Sequence, residues 1–508
     1  MLLEFRVKNF RSIKDEQVFS LLASSDKTLE GNTFPAGANT DLRLVRTAVI
    51  YGANASGKSS VLDALRHMRY FVRRELDPDE EFDFEPFIFS EAIPNLPTEF
   101  EVTFIQNNIR CQYGLVLDKN KILEEWLLVY PSGRPQQWFY RKYIDADKKY
   151  EWKFSKHCKG QNQAIKERTR NNVPFLCKAV KDNHETLKPI YDWFVKDLVF
   201  IDSARGPDFE RSKQYIQNAS TASFANKEKF LKLLNYADPS ITDIIIEKMS
   251  PEELAKIQFP NKMSEKIKIE IKAQLQDREN LKFKHPNNVF LDHNDESQGT
   301  QKLTALAGYW FDAIEQGLTL FVDELDCSLH HLLTQRLIEL FSNPEINKHN
   351  AQLIFTTHDT SLLDNELFRR DQVWFTEKDS EHSTLGGGIN QVDVVKDLIF
   401  KNNGNELTPK DEQELNSIYL ILEKNKSLSV EVITHTDTKL NENDAMELTN
   451  RQSVTIKNYF LKKGLSANRL KMVSKGNTQT RKKCSSPAEC SEDEHRQNRR
   501  SEFIVFKS

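Results

Sequence analysis

The stretch Ala48–Ser60, AVIYGANASGKSS, decides how this chain is read. Leading into it, Leu44–Tyr51 (LVRTAVIY) is a short, β-rich apolar run that ends at Gly52, the pattern of a buried strand entering a tight turn. Gly52, Gly57, Lys58 and Ser59 then spell G-x-x-x-x-G-K-S. Glycines at those places let successive backbone N–H groups point into one concavity that suits a chain of phosphates. The lysine can reach the outer phosphates, and the Ser59 hydroxyl can sit on Mg²⁺. Asn54 and Ser60, inside and just after the loop, complete the expected nucleotide contacts. Beyond it Leu62, Leu65, Met68, Val72 and Leu76 recur at helical spacing. That spacing predicts a helix whose N-terminus, the positive end of its dipole, faces the phosphates.

Three later stretches fit the same α/β plan. In LTLFVDELD (Leu318–Asp326) apolar residues lead into the pair Asp323-Glu324. The acids are therefore expected at the carboxyl edge of a parallel sheet, where such folds bind ligands. Asp323 is placed to hold Mg²⁺ through water, and Glu324 to polarise the attacking water as a general base. AQLIFTTHD (Ala351–Asp359) brings His358 to a matching edge position. In DESQGTQKLTALAGYW (Asp295–Trp310), Ser297, Gln298, Gly299 and Thr300 form a small turn, followed by Leu303, Leu306 and Trp310 at helical spacing. Ser297 is the expected N-cap of that helix. A helix start of this kind is a second phosphate-seeking site. With one nucleotide already accommodated at the loop, it is expected to meet the nucleotide of another subunit.

The order of these motifs, with FRVKNFRSIKDEQ (Phe5–Gln17) and RRDQVWFTEKD (Arg369–Asp379), resembles the ABC-type ATPases of the SMC and overcoming-lysogenization-defect lineage, in particular the stand-alone AAA15-type ATPases. The resemblance covers about residues 1–385. It implies a two-fold homodimer, or a higher even oligomer, that sandwiches ATP. Lys58 and Ser59 of one subunit would hold each ATP together with the signature residues Ser297, Gln298 and Gly299 of the other. It further implies Glu324 as catalytic base, His358 as γ-phosphate sensor, Arg11 as a nucleotide-side contact and a helical lobe over about 140–290. Phe84–Pro94 (FEPFIFSEAIP) sits where the family's glutamine loop belongs, but it carries no glutamine. Lys148–Asn172 is strongly basic; it reads as a solvated helical insert in preference to a nucleic-acid patch.

The chain has 508 residues, 71 basic and 75 acidic side chains and a formal charge of -4, so no global positive field draws it to nucleic acid or an anionic membrane. Glu4, Arg6 and Lys8 interrupt the first apolar residues at period two, as in a strand. No run of about 18 apolar residues occurs. A soluble, cytoplasmic protein is expected. Of the six cysteines, His157-Cys158 with Cys177 lacks the second half of a paired metal-ligand spacing.

Gly386–Gly388 reads as part of a linker (386–390) that closes the ATPase part. Over 391–508 strands are expected at Val392–Phe400, Leu428–Thr434, Leu470–Lys475 and Ser501–Phe506, with helices at about Lys410–Glu423 and Met446–Lys463, making a small α/β sandwich. This order, with VITHTD (Val432–Asp437), the helix after it and NRRSEF (Asn498–Phe503), resembles the OmpA-like, MotB-like peptidoglycan-associated domain. The form found in Bacteroidetes envelope proteins can bridge two cysteines outside the cytoplasm, at the positions of Cys484 and Cys490 here. In that family a carboxylate and an arginine clamp the zwitterionic end of diaminopimelate. Asp437, beside His435 and Thr436, supplies the carboxylate. The arginine's place falls on Gln452, with Arg451 one residue early and about 100° round the helix. The domain is thus expected to serve as a docking or ligand-sensing module before it serves as a wall anchor.

The function expected from these readings is an Mg²⁺-dependent ATPase switch that regulates an anti-phage defence system. It would act with a separate effector, a nuclease or toxin, and a phage protein or muropeptide would be its trigger. The alternatives are a DNA-associated SMC-like structural ATPase, which would clamp nucleic acid, and a peptidoglycan-associated envelope protein.

Overall fold

The computed structural model describes residues 1–37, 42–89, 96–131, 133–202, 209–217, 223–260, 263–277, 279–378, 382–388, 407, 409–424, 428–478, 495 and 498–507. The chain forms two compact α/β units, Met1–Gly387 and Gly388–Ser508.

At the centre of the first unit is a six-stranded sheet in the order Leu198–Asp202, Thr319–Asp323, Gln352–Thr356, Thr47–Gly52, Val373–Lys378, Thr384–Gly388. Its first five strands pair in parallel. Gln352–Thr356 is buried along its whole length and Thr47–Gly52 up to its last residue, as strands covered on both faces must be. The apolar run Leu44–Tyr51 is not one strand. It breaks at Arg46, so that Arg43–Val45 pairs with Thr33–Pro35 in a separate ribbon. The Arg46 guanidinium is buried at the break and donates to the carbonyls of Gly31 (3.0 Å) and Asn347 (3.1 Å). The helix after the loop runs Lys58–Arg73; Leu76 lies past its end but is buried all the same.

Beside it stands a seven-stranded antiparallel sheet in the order Lys149–Phe154, Gln136–Ile144, Ile122–Tyr130, Ile109–Leu117, Thr98–Gln106, Leu2–Lys8, Gln17–Ser20. Its buried face and the apolar stripe of the P-loop helix share one core, including Phe5, Phe100, Phe104, Met68, Phe71 and Trp193. This corrects the reading of 140–290 as a helical lobe. Seven described α-helices lie in that span, but so do strands, among them an outer strand of each of these two sheets. In the basic stretch, exposed Lys149, Glu151 and Lys153 alternate with half-buried Tyr150, Trp152 and Phe154, the period of an edge strand. The glycines at 386–388 belong to the edge strand Thr384–Gly388 and are not a free linker: Gly386 N–H donates to Gln17 Oε1 at 2.8 Å.

In the second unit Leu428–His435 is the middle strand, parallel to Leu470–Gly476 and antiparallel to Arg500–Lys507. The helices Pro409–Lys424 and Glu442–Lys462 close a core of Leu415, Ile418, Leu422, Val430, Val432, Ile456, Phe460 and Phe503. Asn441 caps the second helix, accepting from Asp444 N–H at 3.0 Å. The strand expected at Val392–Phe400 and the pair Cys484 and Cys490 lie outside the described residues.

Candidate functional site

Three neighbouring parallel strands deliver the chemistry to one edge. Thr47–Gly52 enters the loop, Thr319–Asp323 ends in the acid pair, and Gln352–Thr356 leads to His358. Asn54, Gly57, Lys58, Ser59, Ser60, Glu324 and His358 line one cleft of about 400 Å³ together with Ser12. The Lys58 ammonium folds into the loop and donates to the carbonyls of Gly52 (2.9 Å) and Ala53 (3.1 Å). Burial holds its pKa below that of an ordinary lysine, against the pull of the Asp323, Glu324 and Asp326 carboxylates.

Two hydroxyls converge on Asp323. Ser59 Oγ donates to Asp323 Oδ1 at 3.1 Å and Thr356 Oγ1 to the same oxygen at 2.6 Å. Thr356 Oγ1 in turn accepts from Glu324 N–H at 2.7 Å. Glu324 is held in the left-handed region, φ 52°, and its Oε1 stands 3.9 Å from His358 Nε2. The surrounding structure must fix such a conformation, which the residue alone would not choose. The donors gathered here are oxygens, a hydroxyl and a carboxylate, and that set suits a hard divalent cation such as Mg²⁺ bound with water and phosphate. Ser59 and Asp323 would hold it, and it would supply positive charge against a phosphate chain.

Several positioning groups carried no signal in the sequence. Thr384, on the edge strand, donates to the Ser56 carbonyl at 2.9 Å and its Oγ1 lies 2.8 Å from Ser12 Oγ. Ser56 Oγ and Thr376 Oγ1 lie 2.7 Å apart. Arg11 is not in the phosphate cleft. It pairs with Asp63 and lines an adjoining cavity of about 710 Å³, which shares Ser12 and Ser60 with the cleft. Ser297 caps the helix Gln298–Gln316, its Oγ accepting from Thr300 N–H at 3.1 Å. Ser297 and Gln298 are exposed, and none of Ser297, Gln298 and Gly299 lines the cleft of its own chain.

Residues 48–364, more than half of the chain, match the family described as "AAA domain, putative AbiEii toxin, Type IV TA system". The chain belongs to this family. Residues 399–494 match the OmpA family, so this P-loop ATPase carries a C-terminal OmpA domain. No curated protein matches the chain. Among solved structures, the SMC head domain from Thermotoga maritima is 14% identical, covering 76% of this ATPase and 98% of that chain at a TM-score of 0.36. The peptidoglycan-associated lipoprotein from Burkholderia pseudomallei is 14% identical, covering 22% and 90% at a TM-score of 0.20. The C-terminal domain of Helicobacter pylori MotB is 18% identical, covering 22% and 86% at a TM-score of 0.20. Among the described residues no helix of the ATPase is long and apolar enough to cross a membrane.

In the OmpA domain the proposed clamp is differently made. Asp437 is fully buried, and Arg499 Nη1 donates to its Oδ2 at 2.8 Å, with His495 Nδ1 3.7 Å away. Arg451 does not join it: it is exposed on the helix, 4.0 Å from Glu447 one turn back. Gln452 is buried at the position facing the core, and His435 is buried on the middle strand.

Proposed function

We propose that this ATPase is an Mg²⁺-dependent dimeric switch. ATP bound by Lys58 and Ser59 of one subunit is closed over by Ser297, Gln298 and Gly299 of a second copy. Glu324 polarises the attacking water, and His358 contacts the γ-phosphate. The observation that carries this reading is the separation of two phosphate-seeking helix starts: one opens the P-loop cleft, while the other, capped by Ser297, is exposed and contributes nothing to that cleft. A cleft lined on one side by the loop and on the other by Glu324 and His358 leaves an open face for a partner subunit's signature residues.

The family description names a toxin in a toxin–antitoxin system, which favours a role in genetic conflict. The switch then acts in the cytoplasm as the regulatory ATPase of an anti-phage system, gating a separate nuclease or toxin, with the OmpA domain as its docking or sensing module. Burial of Asp437 against the chain's own Arg499 argues against a wall anchor. The test is ATP turnover and sedimentation of the full chain. Glu324→Gln should bind ATP, form a dimer and stop turning over, and Lys58→Ala should lose ATP binding. A Glu324→Gln chain that stays monomeric in saturating ATP overturns the sandwich, and DNA affinity that rises with ATP would support the SMC-like alternative in its place.

A further inference from the structure

The loop that presents Ser297 is held from outside its own helix. Glu296, the residue before the serine, is buried, and its Oε1 lies 2.7 Å from His285 Nε2. A carboxylate can only accept, so Nε2 carries the proton. In the neutral ring Nδ1 then accepts from the Ser240 hydroxyl, 2.9 Å away. Ser240 N–H donates onward to Asp238 Oδ1 at 2.8 Å. Ligand atoms of Asp238, His285 and Glu296 all fall within 4.8 Å of one another.

These residues join two parts of the first unit. His285 stands at the turn between the strands Glu279–Lys284 and Phe290–Asp292, its N–H bonded to Val289 O at 2.8 Å. Those strands and Asp243–Lys248 form a small three-stranded sheet, and the helices Pro251–Lys256 and Glu265–Asp277 lie between its first two strands in the chain. Asp238 and Ser240 precede the first of these strands. On the other side, Gln301 of the signature helix donates to the carbonyls of Asn294 (3.1 Å) and Glu296 (2.8 Å). The backbone just ahead of Ser297 is thus fixed twice, by Gln301 from its own helix and by His285 from the lobe. None of these groups lines the P-loop cleft.

We propose that His285 is a positioning residue for the signature serine: through Glu296 it couples the small lobe to the face that closes over the nucleotide of the opposite subunit. The proposal rests on the ATP sandwich described above. A lobe in place sets Ser297 for closure, and a lobe displaced at Ser240 or His285 releases it, without touching the P-loop.

The test uses the full chain. His285→Ala should leave the affinity for a fluorescent ATP analogue unchanged and lower turnover at saturating ATP about ten-fold, with KM constant, an ordinary size for coupling between sites. In the Glu324→Gln background the same substitution should raise the protein concentration needed for the ATP-dependent dimer by about ten-fold. His285→Gln, whose amide can donate to Glu296 and accept from Ser240, should recover to within about three-fold of the parent. Should His285→Ala fail to fold, Ser240→Ala removes only the outer link and should show the same split, about three-fold in size. Parental closure and turnover in these variants, or equal losses in His285→Ala and His285→Gln, overturn the proposal. If Glu324→Gln itself never dimerises while Lys58→Ala loses ATP, the sandwich has failed, and the proposal falls with it for that separate reason.

Discussion

Ser59 and Asp323 meet at 3.1 Å across 264 residues of sequence, and Thr356 donates to the same carboxylate oxygen from the neighbouring strand. The Asp323 carboxylate is therefore held by two protein hydroxyls from different elements. Thr356 ties the acid pair together, since the oxygen that donates to Asp323 also accepts the Glu324 N–H. Thr356→Val keeps the shape and removes both bonds. A polar group left unpaired at such a site costs about 1–3 kcal/mol. The expected outcome is turnover lowered by at least about ten-fold while nucleotide affinity without Mg²⁺ is retained; steady-state kinetics and calorimetry in chelator check it.

Glu324 sits at φ 52°, where a side chain is strained by about 1–2 kcal/mol and glycine is not. Stability and activity should therefore move in opposite directions. Glu324→Gly should melt no lower than the parent yet lose turnover, whereas Glu324→Gln should melt as the parent does and lose it by at least about a hundred-fold. Differential scanning calorimetry beside a phosphate-release assay separates the two.

Gly57 has φ 105°, and a Cβ there would run into the side chain of Thr384. Gly57→Ala should destabilise the unit by at least about 1–3 kcal/mol and abolish nucleotide binding. Thr384→Ala should cost only about 1 kcal/mol for its lost hydrogen bonds. Denaturant midpoints and titration with a nucleotide analogue give the comparison.

Burial pushes the thiols of Cys111, Cys158 and Cys177 up to about 12. In the unfolded chain they ionise near 9, so above that pH the unfolded state releases protons that the native state keeps, and stability falls with rising pH. The contribution is complete below pH 9 and is lost progressively toward pH 12, at up to about 1.4 kcal/mol per thiol per pH unit. Urea midpoints at pH 8 and pH 10 should differ accordingly, and Cys111→Ala should flatten the slope. Iodoacetamide at pH 8 should spare these three and reach Cys327, which is partly exposed.

Asp437 has no solvent of its own, and its ion pair with Arg499 is nearly as buried. Arg499→Ala removes the carboxylate's arginine and leaves it with the Lys439 N–H and nearby His495, and should destabilise the OmpA domain by up to about 3–5 kcal/mol. Circular dichroism of the full chain should show an added low-temperature transition. Titration with a diaminopimelate-containing muropeptide, with Asp437→Ala as control, should be silent.

The meeting of Gly57, Lys58, Ser59 and Glu324 at one cleft is legible in the sequence, because a glycine-rich loop after an apolar run and an acid pair after another both end at the same edge of a parallel sheet. The roles of Thr356, Thr376 and Thr384 are not. A threonine in a strand is an ordinary β-former, and only the sheet order reveals that Thr376 and Thr384 lie against the loop and Thr356 against the acid pair. The alternation of Tyr150, Trp152 and Phe154 carries the strand period, but the lysines between them make the stretch read as a charge run. Gly386–Gly388 looked like a linker because glycine is depleted in strands; pairing to a neighbouring strand outweighed that preference. In the OmpA domain Arg451 was the nearest arginine in sequence, yet one residue on a helix turns a side chain away, and Arg499 reached Asp437 from beyond the helix.

The edge strand Thr384–Gly388 has a wider meaning. The chain leaves the ATPase along the same few residues whose threonine braces Ser56 and Ser12 at the phosphate loop. The last strand of the first unit is thus hydrogen-bonded to the backbone of the phosphate loop. A change that loosens this strand at Thr384 would therefore free the Ser56 carbonyl and Ser12 together.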